Sequence, residues 1–301
     1  MPTVLALITS LRHPWNSRDY TEVERIFARS VTSWVRQQSN EFCVVAVGNR
    51  VPTVELPGGT RFVQVDFPAP SPHRGPHTGI PAVLRDKGTK LAVGLLAARQ
   101  EQPDLTHVMF VDADDFVSRR LAGFVAGRRS EPGWTVTDGW RYHAGRRALH
   151  RQRGDFHHHC GSSHIVRHDL YPHVDLPLTA SQEQLYAAFG DRLERWLGSH
   201  LHVHDDLPLT PLPFPGALYR VGTGEAHSGT SMGGFGRPVP RGVAEEFGVE
   251  PTPLTPWSLA RAVLPSSAAI TTRVRSVLGP LSRGGGTARA ASATRRDEGQ
   301  R

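Results

Sequence analysis

Lysine is nearly missing from this chain: its 301 residues carry only Lys87 and Lys90, against 33 arginines. Cysteine is just as scarce. Cys43 and Cys160 could pair only with each other, and a chain of this length is held by its core without a bridge. Long apolar runs are absent too. None approaches the ~20 residues needed to span a bilayer. The N-terminal stretch MPTVLALITSLRHPW has no positive start and an apolar run of only about seven residues, which makes a poor export signal. The expectation is a cytoplasmic protein without a transmembrane segment. No internal repeat is evident.

A formal net charge of +7 invites nucleic-acid binding, but its placement argues otherwise. Residues 261–301 hold eight arginines against Asp297 and Glu298, which leaves +1 for the first 260 residues. A nearly neutral body with no basic stripe and no interleaved aromatics does not track a nucleic-acid backbone. The basic tail favours anionic surfaces and leaves peripheral membrane contact open. From about 280 its Ser, Ala, Gly and Thr content predicts disorder, because so few apolar groups cannot repay the entropy of ordering. The expected organisation is one folded domain over 1–260, with halves 1–128 and 129–240, followed by the 261–301 tail.

Within the body, TVLALITS (3–10), FCVVAVG (42–48) and RFVQVDF (61–67) read as strands. A helix follows the first, with Thr21 and Glu24 at capping-box spacing. DKGTKLAVGLLAARQ (86–100) sets Leu91, Leu95 and Ala98 on one helical face. HVMFVDADD (107–115) is a strand that ends abruptly in carboxylates, and SRRLAGFVAG (118–127) is a helix behind it. WTVTDGWRY (134–142), SSHIVRH (162–168) and GALYRVG (216–222) read as further strands. SQEQLYAAFGDRLERWLG (181–198) reads as a helix with a Ser181–Gln184 capping box. Alternation of this kind builds a mostly parallel α/β sheet flanked by helices, with an irregular second half. In such sheets ligands lie beyond the C-terminal ends of the strands, which is where Asp66 and Asp112–Asp115 fall.

Two carboxylates around one small residue repel each other and raise each other's pKa. A hard divalent cation such as Mg2+ or Mn2+ relieves that repulsion and leaves positions open for phosphate oxygens. A solvated acidic loop is the alternative reading of the same letters.

The stretch VLALITS, FCVVAVGN, Asp66, KGTKLAVGLLAAR, HVMFVDADDFVS resembles the nucleotide-sugar-dependent glycosyltransferases of the GT-A fold, closest to the family 2-like enzymes. The likeness is good over 3–125 and loose over 134–228. It implies a Rossmann-like fold and a metal-dependent transfer of a sugar from a nucleoside-diphosphate sugar to an acceptor hydroxyl, on a carbohydrate or another molecule. By that resemblance Asp66 contacts the donor's base or ribose. Asp112 addresses the ribose or the metal, and Asp114 is the direct metal ligand. Asp115 orients the sugar, supports its neighbours or caps the helix after it. His227 completes the metal shell. Read from the residues themselves, Lys87 and Lys90 either offer charge to phosphate, a task that does not need arginine's fork, or form a solvated helix start. Asp138, Trp140, Ser162 and Ser163 line the sugar pocket, and Asp205 or Asp206 takes the acceptor's proton. The glycines of 228–236 suggest a flap that closes over the donor.

Histidines concentrate in FHHHCGSSHIVRHDLYP (156–172) and SHLHVHDD (199–206). His200, His202 and His204 would share one face of a strand, which superficially suggests a zinc hydrolase. The order H-x-H-x-H-D-D and its place late in the chain both speak against that. Two other readings remain. A sugar-phosphate nucleotidyltransferase would carry a glycine-rich phosphate loop after the first strand, where TSLRHPWNSR has none. A non-catalytic α/β protein would bind anionic partners through its tail.

Overall fold

The computed structural model describes residues 2–75, 78–223, 225 and 235–263. Val4 to Ile8 have no exposed surface at all. A strand buried on both faces belongs in the middle of a sheet covered twice, and that is the place of β1 (Leu5–Ser10). Its alternate residues divide two cores. Leu5 and Leu7 pack with Phe27, Val31 and Trp34 of α1 (Tyr20–Trp34). Ala6 and Ile8 face the other way.

The first turn of α1 corrects the expected Thr21–Glu24 box. Asp19 is the cap, and its carboxylate accepts the amides of Thr21 and Glu22 at 2.9 and 3.3 Å. Glu24 is instead buried, bound to Arg50 at 3.1 Å and Thr53 at 2.5 Å. β2 (Phe42–Gly48) and β3 (Thr60–Gln64) follow. Then comes α2 (Ile80–Glu101), which begins six residues before the predicted 86. Leu91, Leu95 and Ala98 are buried against the second core as the spacing requires. Burying each leucine contributes about 1.5–3 kcal/mol.

After α2 come β4 (His107–Phe110), β5 (Phe116–Val117) and α3 (Leu121–Ala126). The strand expected over 134–142 is in fact two, β6 (Gly133–Thr135) and β7 (Gly139–His143), which lie in different sheets. β8 (Ala148–Gln152) and β9 (His164–Arg167) precede α4 (Gln182–Phe189). The Ser181–Gln184 capping box is present. The predicted helix 181–198 breaks at Gly190, whose φ of 62° suits glycine, and resumes as a π-helical turn at Leu193–Gly198. The stripe Leu185, Phe189, Leu193 and Leu197 is buried across that break. The short α5 (Val203–Asp206) replaces the strand imagined for the second histidine segment. β10 (Thr210–Pro211), β11 (Ala217–Val221), β12 (Arg237–Pro238), α6 (Arg241–Phe247) and α7 (Pro256–Val263) complete the described chain.

The strands form two sheets. The larger runs β10-β6-β9-β4-β1-β2-β3, and the smaller runs β12-β8-β7-β11-β5. β4, β1, β2 and β3 are mutually parallel, while β9 is antiparallel to both β4 and β6. This is an α/β architecture with a mixed, mostly parallel central sheet flanked by helices. Among the described residues no helix is long and apolar enough to cross a membrane.

Candidate functional site

Because β4, β1, β2 and β3 run the same way, their C-terminal ends open on one edge. Arg12 follows β1, Arg50 follows β2, exposed Asp66 follows β3, and the acidic run follows β4. Val111 continues the ladder, its amide donating to Ile8 at 2.8 Å. The chain then turns, and the Asp115 amide reaches the Asp112 carbonyl at 3.0 Å.

The three carboxylates have three different environments. Asp115 is fully buried. Oδ1 accepts the Arg220 amide at 3.0 Å, and Oδ2 accepts Ser162 Oγ–H at 2.7 Å and Cys160 Sγ–H at 3.2 Å. Its carbonyl takes the Trp34 indole N–H at 2.9 Å. Burial, followed by the adjacent Asp114 and Asp112 charges, pushes its carboxyl well above the ordinary range. Asp115 therefore secures the turn from inside and presents nothing to a sugar.

Asp112 faces α2, where Lys87 Nζ lies 2.5 Å from Oδ1. Burial pushes the Asp112 pKa up, but the Lys87 charge and hydrogen bond outweigh it and hold the carboxyl low. The lysine is raised in turn, its own burial being outweighed by Asp112. Gly161 lies against this carboxylate so closely that a Cβ there would fall on Oδ2.

Asp114 is half-buried, and no side-chain cation pairs with it among the described residues. Burial and then the Asp112 charge push its carboxyl up to about 6. Arg220 and Arg12 act on it through space without touching it.

Beside the acidic turn, Arg12 is held at 3.0 Å by Glu225, which also accepts the amides of Arg18 and Asp19. A cavity of ≈520 Å3 opens past the ends of β1 and β2, lined by Trp15, Arg18, Tyr20, Arg50 and Arg74 among others. Arg74 lies over the Trp15 ring and Arg50 over Tyr20, at 4.4 and 4.1 Å from the centroids. Arg18 and Arg74 have no carboxylate partner among the described residues. Ligand pockets commonly measure about 300–1,000 Å3, and planar cations beside aromatic faces suit a phosphorylated aromatic ligand. Sequence reasoning passed over this set, although LRHPWNSR directly after β1 displays one of its arginines, Arg18, and its tryptophan.

The remaining predicted site residues are mostly occupied elsewhere. Lys90 is fully buried, donating to the Leu11 carbonyl at 3.0 Å and to Asp86 at 2.8 Å, so it offers no charge to an external phosphate. Ser162 and Ser163 are also fully buried. Ser162 bridges the Asp112 amide and Asp115, and Ser163 meets His164 Nδ1. Asp138 is paired with Arg151 at 2.8 Å. Trp140 is buried in the smaller sheet's core with Arg151 and Arg237 over its ring. Arg195 binds both oxygens of Asp206, at 2.5 and 2.7 Å, and the Trp196 indole N–H adds a third bond at 2.7 Å. Those bonds hold the Asp206 carboxyl far below the usual range and make it a poor base. Asp205 is exposed. His227 and nearly all of the glycine-rich 228–236 segment lie outside the described residues.

The fold also gathers histidines from both histidine-rich segments. His157, His158 and His204 each offer a ligand atom, and those atoms lie within 4.8 Å of one another. Such a group could hold a divalent metal. Among the described residues no other set of His, Cys, Asp and Glu converges in this way. His164 stacks on His204 at 5.9 Å. A small cavity of ≈10 Å3 touches Lys87, Gly161, His164 and His200, and His200 lies within the influence of the Lys87 and Asp112 charges.

No protein-family model matches this sequence. No curated protein matches it either. Among solved structures, TarS of S. aureus is similar at 13% identity and a TM-score of 0.34, over 73% of this chain and 37% of that one. Rv0371C of Mycobacterium tuberculosis H37Rv, crystallised in complex with manganese, is similar at 12% identity and a TM-score of 0.35, over 73% of this chain and 92% of that one. This chain thus spans well under half the length of TarS. Likeness of that extent carries no role across to any residue here.

Proposed function

We propose that this protein is a metal-dependent glycosyltransferase of GT-A-like fold that moves a sugar from a nucleoside-diphosphate sugar to an acceptor hydroxyl. The observation that carries the reading is a chain of contacts from the cavity wall toward Asp114: the Arg18 amide donates to Glu225, Glu225 pairs with Arg12, and the Arg12 charge acts through space with Asp114. The base and ribose would occupy the cavity against Trp15 or Tyr20, with Asp66 at its edge. Arg18 and Arg74 would meet the diphosphate.

Asp114 fits a cation ligand: it is half-buried, has no cation paired to it among the described residues, and its charge is opposed by burial and by Asp112. Asp112 fits less directly, since Lys87 already compensates its charge. A bound Mn2+ or Mg2+ would neutralise charge on the departing diphosphate. The protein's own groups then position the donor and exclude water. The acceptor oxygen bonds to the anomeric carbon as the bond to the diphosphate breaks, and the acceptor's proton passes to a base. Of the two carboxylates considered for that step, only Asp205 is free of a bidentate clamp.

Incubation with UDP-, GDP- and dTDP-sugars and a mixed acceptor pool tests the reading. Metal-dependent release of nucleoside diphosphate is the expected outcome. Release of pyrophosphate from a nucleoside triphosphate plus a sugar phosphate, without any diphosphate release, would replace the reading with nucleotidyl transfer.

A further inference from the structure

Four buried imidazole nitrogens in one small region have no hydrogen-bond partner: His157 Nδ1, His164 Nε2, His200 Nε2 and His204 Nδ1. Buried polar atoms left in this state are destabilising, so four in one place need a reason. Three of the rings carrying them, those of His157, His164 and His204, touch one another, and His158 joins them. His157 and His204 centroids are 4.4 Å apart, His158 and His204 are 5.1 Å apart, and His164 stacks on His204 with planes 9° from parallel. A lone pair that finds no donor is available to a cation.

We propose that His157, His158 and His204 form a site for a zinc-class transition-metal ion that staples the Phe156–His158 turn to α5. The donor set is purely imidazole, which suits Zn2+ and its neighbours and not Mg2+, a cation that takes oxygen. Around a tetrahedral ion with Zn–N bonds of about 2.0–2.1 Å, two nitrogens lie roughly 3.4 Å apart. The atoms here, within 4.8 Å of one another, need only small side-chain rotations to close.

The surroundings of His204 support the assignment independently. Its Nδ1 is the orphaned, buried atom, whereas Nε2 lies 3.3 Å from Asp205 Oδ1. A metal on Nδ1 would leave the Nε2–H facing this neighbouring carboxylate, the kind of outer partner that fixes the tautomer of a metal-bound histidine. His158 is exposed and His204 half-buried, which gives the ion a path from solvent. Three protein ligands leave a fourth position for water, or for His164, whose free Nε2 belongs to the same cluster.

A structural consequence follows from the chain path. The segment after His158 runs through Cys160, Gly161 and Ser162, the residues that hold Asp115 and crowd Asp112. The ion would therefore stiffen the wall behind the acidic turn. This inference does not rest on the glycosyltransferase reading and survives its failure.

The test uses full-length protein stripped with chelator, titrated with Zn2+ by calorimetry and with Co2+ by visible absorption. One tight equivalent of Zn2+ should bind, with the intense Co2+ spectrum of a tetrahedral nitrogen site, apart from any weaker binding at Asp114. His204→Gln and the exposed-site His158→Gln should each weaken Zn2+ more than about 100-fold, and Asp205→Asn about 10–100-fold, the usual cost of an outer partner. His202→Gln and Asp114→Asn should leave Zn2+ affinity unchanged. Circular dichroism of each metal-free variant checks that it is folded. The proposal is overturned if Zn2+ does not bind, if folded His158→Gln binds it like the parent, or if Asp114→Asn abolishes binding.

Discussion

Lys87 Nζ sits 2.5 Å from Asp112 Oδ1, so one of the two aspartates of the D-x-D run is already charge-compensated by the fold. Asp114, two residues on, has no such partner among the described residues and is the carboxylate that needs one. A pair that sequence reads as equivalent is thus split into a fixed member and an available one.

Asp114→Asn should therefore raise the melting temperature of metal-free protein. A carboxyl whose folded pKa is raised to about 6 from an ordinary 3.8 binds its proton more tightly when folded. Stability then falls as pH rises from about 4 to 6, and the loss is complete above 6. Removing the charge should recover that stability at pH 7.5 while cutting turnover by orders of magnitude. A lowered melting temperature would mean that Asp114 is already satisfied.

The same shift sets a pH dependence for the cation. Metal binds the carboxylate, so Mn2+ affinity should decline as pH is lowered through about 6 and recover on the alkaline side. A titration of Mn2+ binding between pH 5 and 8, followed by electron paramagnetic resonance, checks this. The midpoint should move or vanish in Asp114→Asn.

The two lysines should respond differently to removal. Lys90→Met leaves Asp86 in a largely buried place without its cation, a break that typically costs about 3–5 kcal/mol. Lys87→Met should cost less stability and more activity, because the lost partner is Asp112 at the rim of the site. Urea unfolding alongside steady-state kinetics separates the two effects.

Gly161→Ala should drive a methyl into the Asp112 carboxylate. Overpacking of this kind costs about 1–3 kcal/mol, and here it also displaces a site residue. Turnover should drop more than stability alone explains. A crystal structure of the variant should show Asp112 turned away from Lys87.

Much of the sheet could be read from sequence because burial leaves a plain pattern. LALITS and FCVVAVG can only be covered strands, and the carboxylates at the end of HVMF mark the sheet's open edge. Site roles were less legible for a specific reason. Ser162, Lys90 and Trp140 look like functional groups when read as letters, yet each is engaged by partners distant in sequence, namely Asp115, Leu11 and Arg237, and Ser163 is buried as well. The reverse holds for Trp15, Arg18, Arg50 and Arg74. They come from separate loops and become a set only when the parallel strands bring those loops to one edge. The histidines behave likewise: alternation suggested His200, His202 and His204, but α5 is helical, and only His204 joins His157 and His158.

Trp15→Ala should weaken nucleotide binding with little loss of stability, since this indole is 42% exposed. Base stacking on an aromatic ring is worth about 1–3 kcal/mol, so affinity should fall roughly 5- to 150-fold. Arg74→Ala should lose affinity for nucleoside diphosphate more than for nucleoside. Fluorescence titration with both ligands distinguishes the two contributions.

The most direct measurement is a thermal-shift titration of UDP, GDP and dTDP with and without Mn2+, on the parent and on Asp114→Asn. A ligand that binds the native state alone must raise its melting temperature. The account predicts that at least one diphosphate stabilises the parent strongly with Mn2+ and weakly without it, and that Asp114→Asn loses the difference. No stabilisation by any of the three, or stabilisation indifferent to both metal and Asp114, would contradict it.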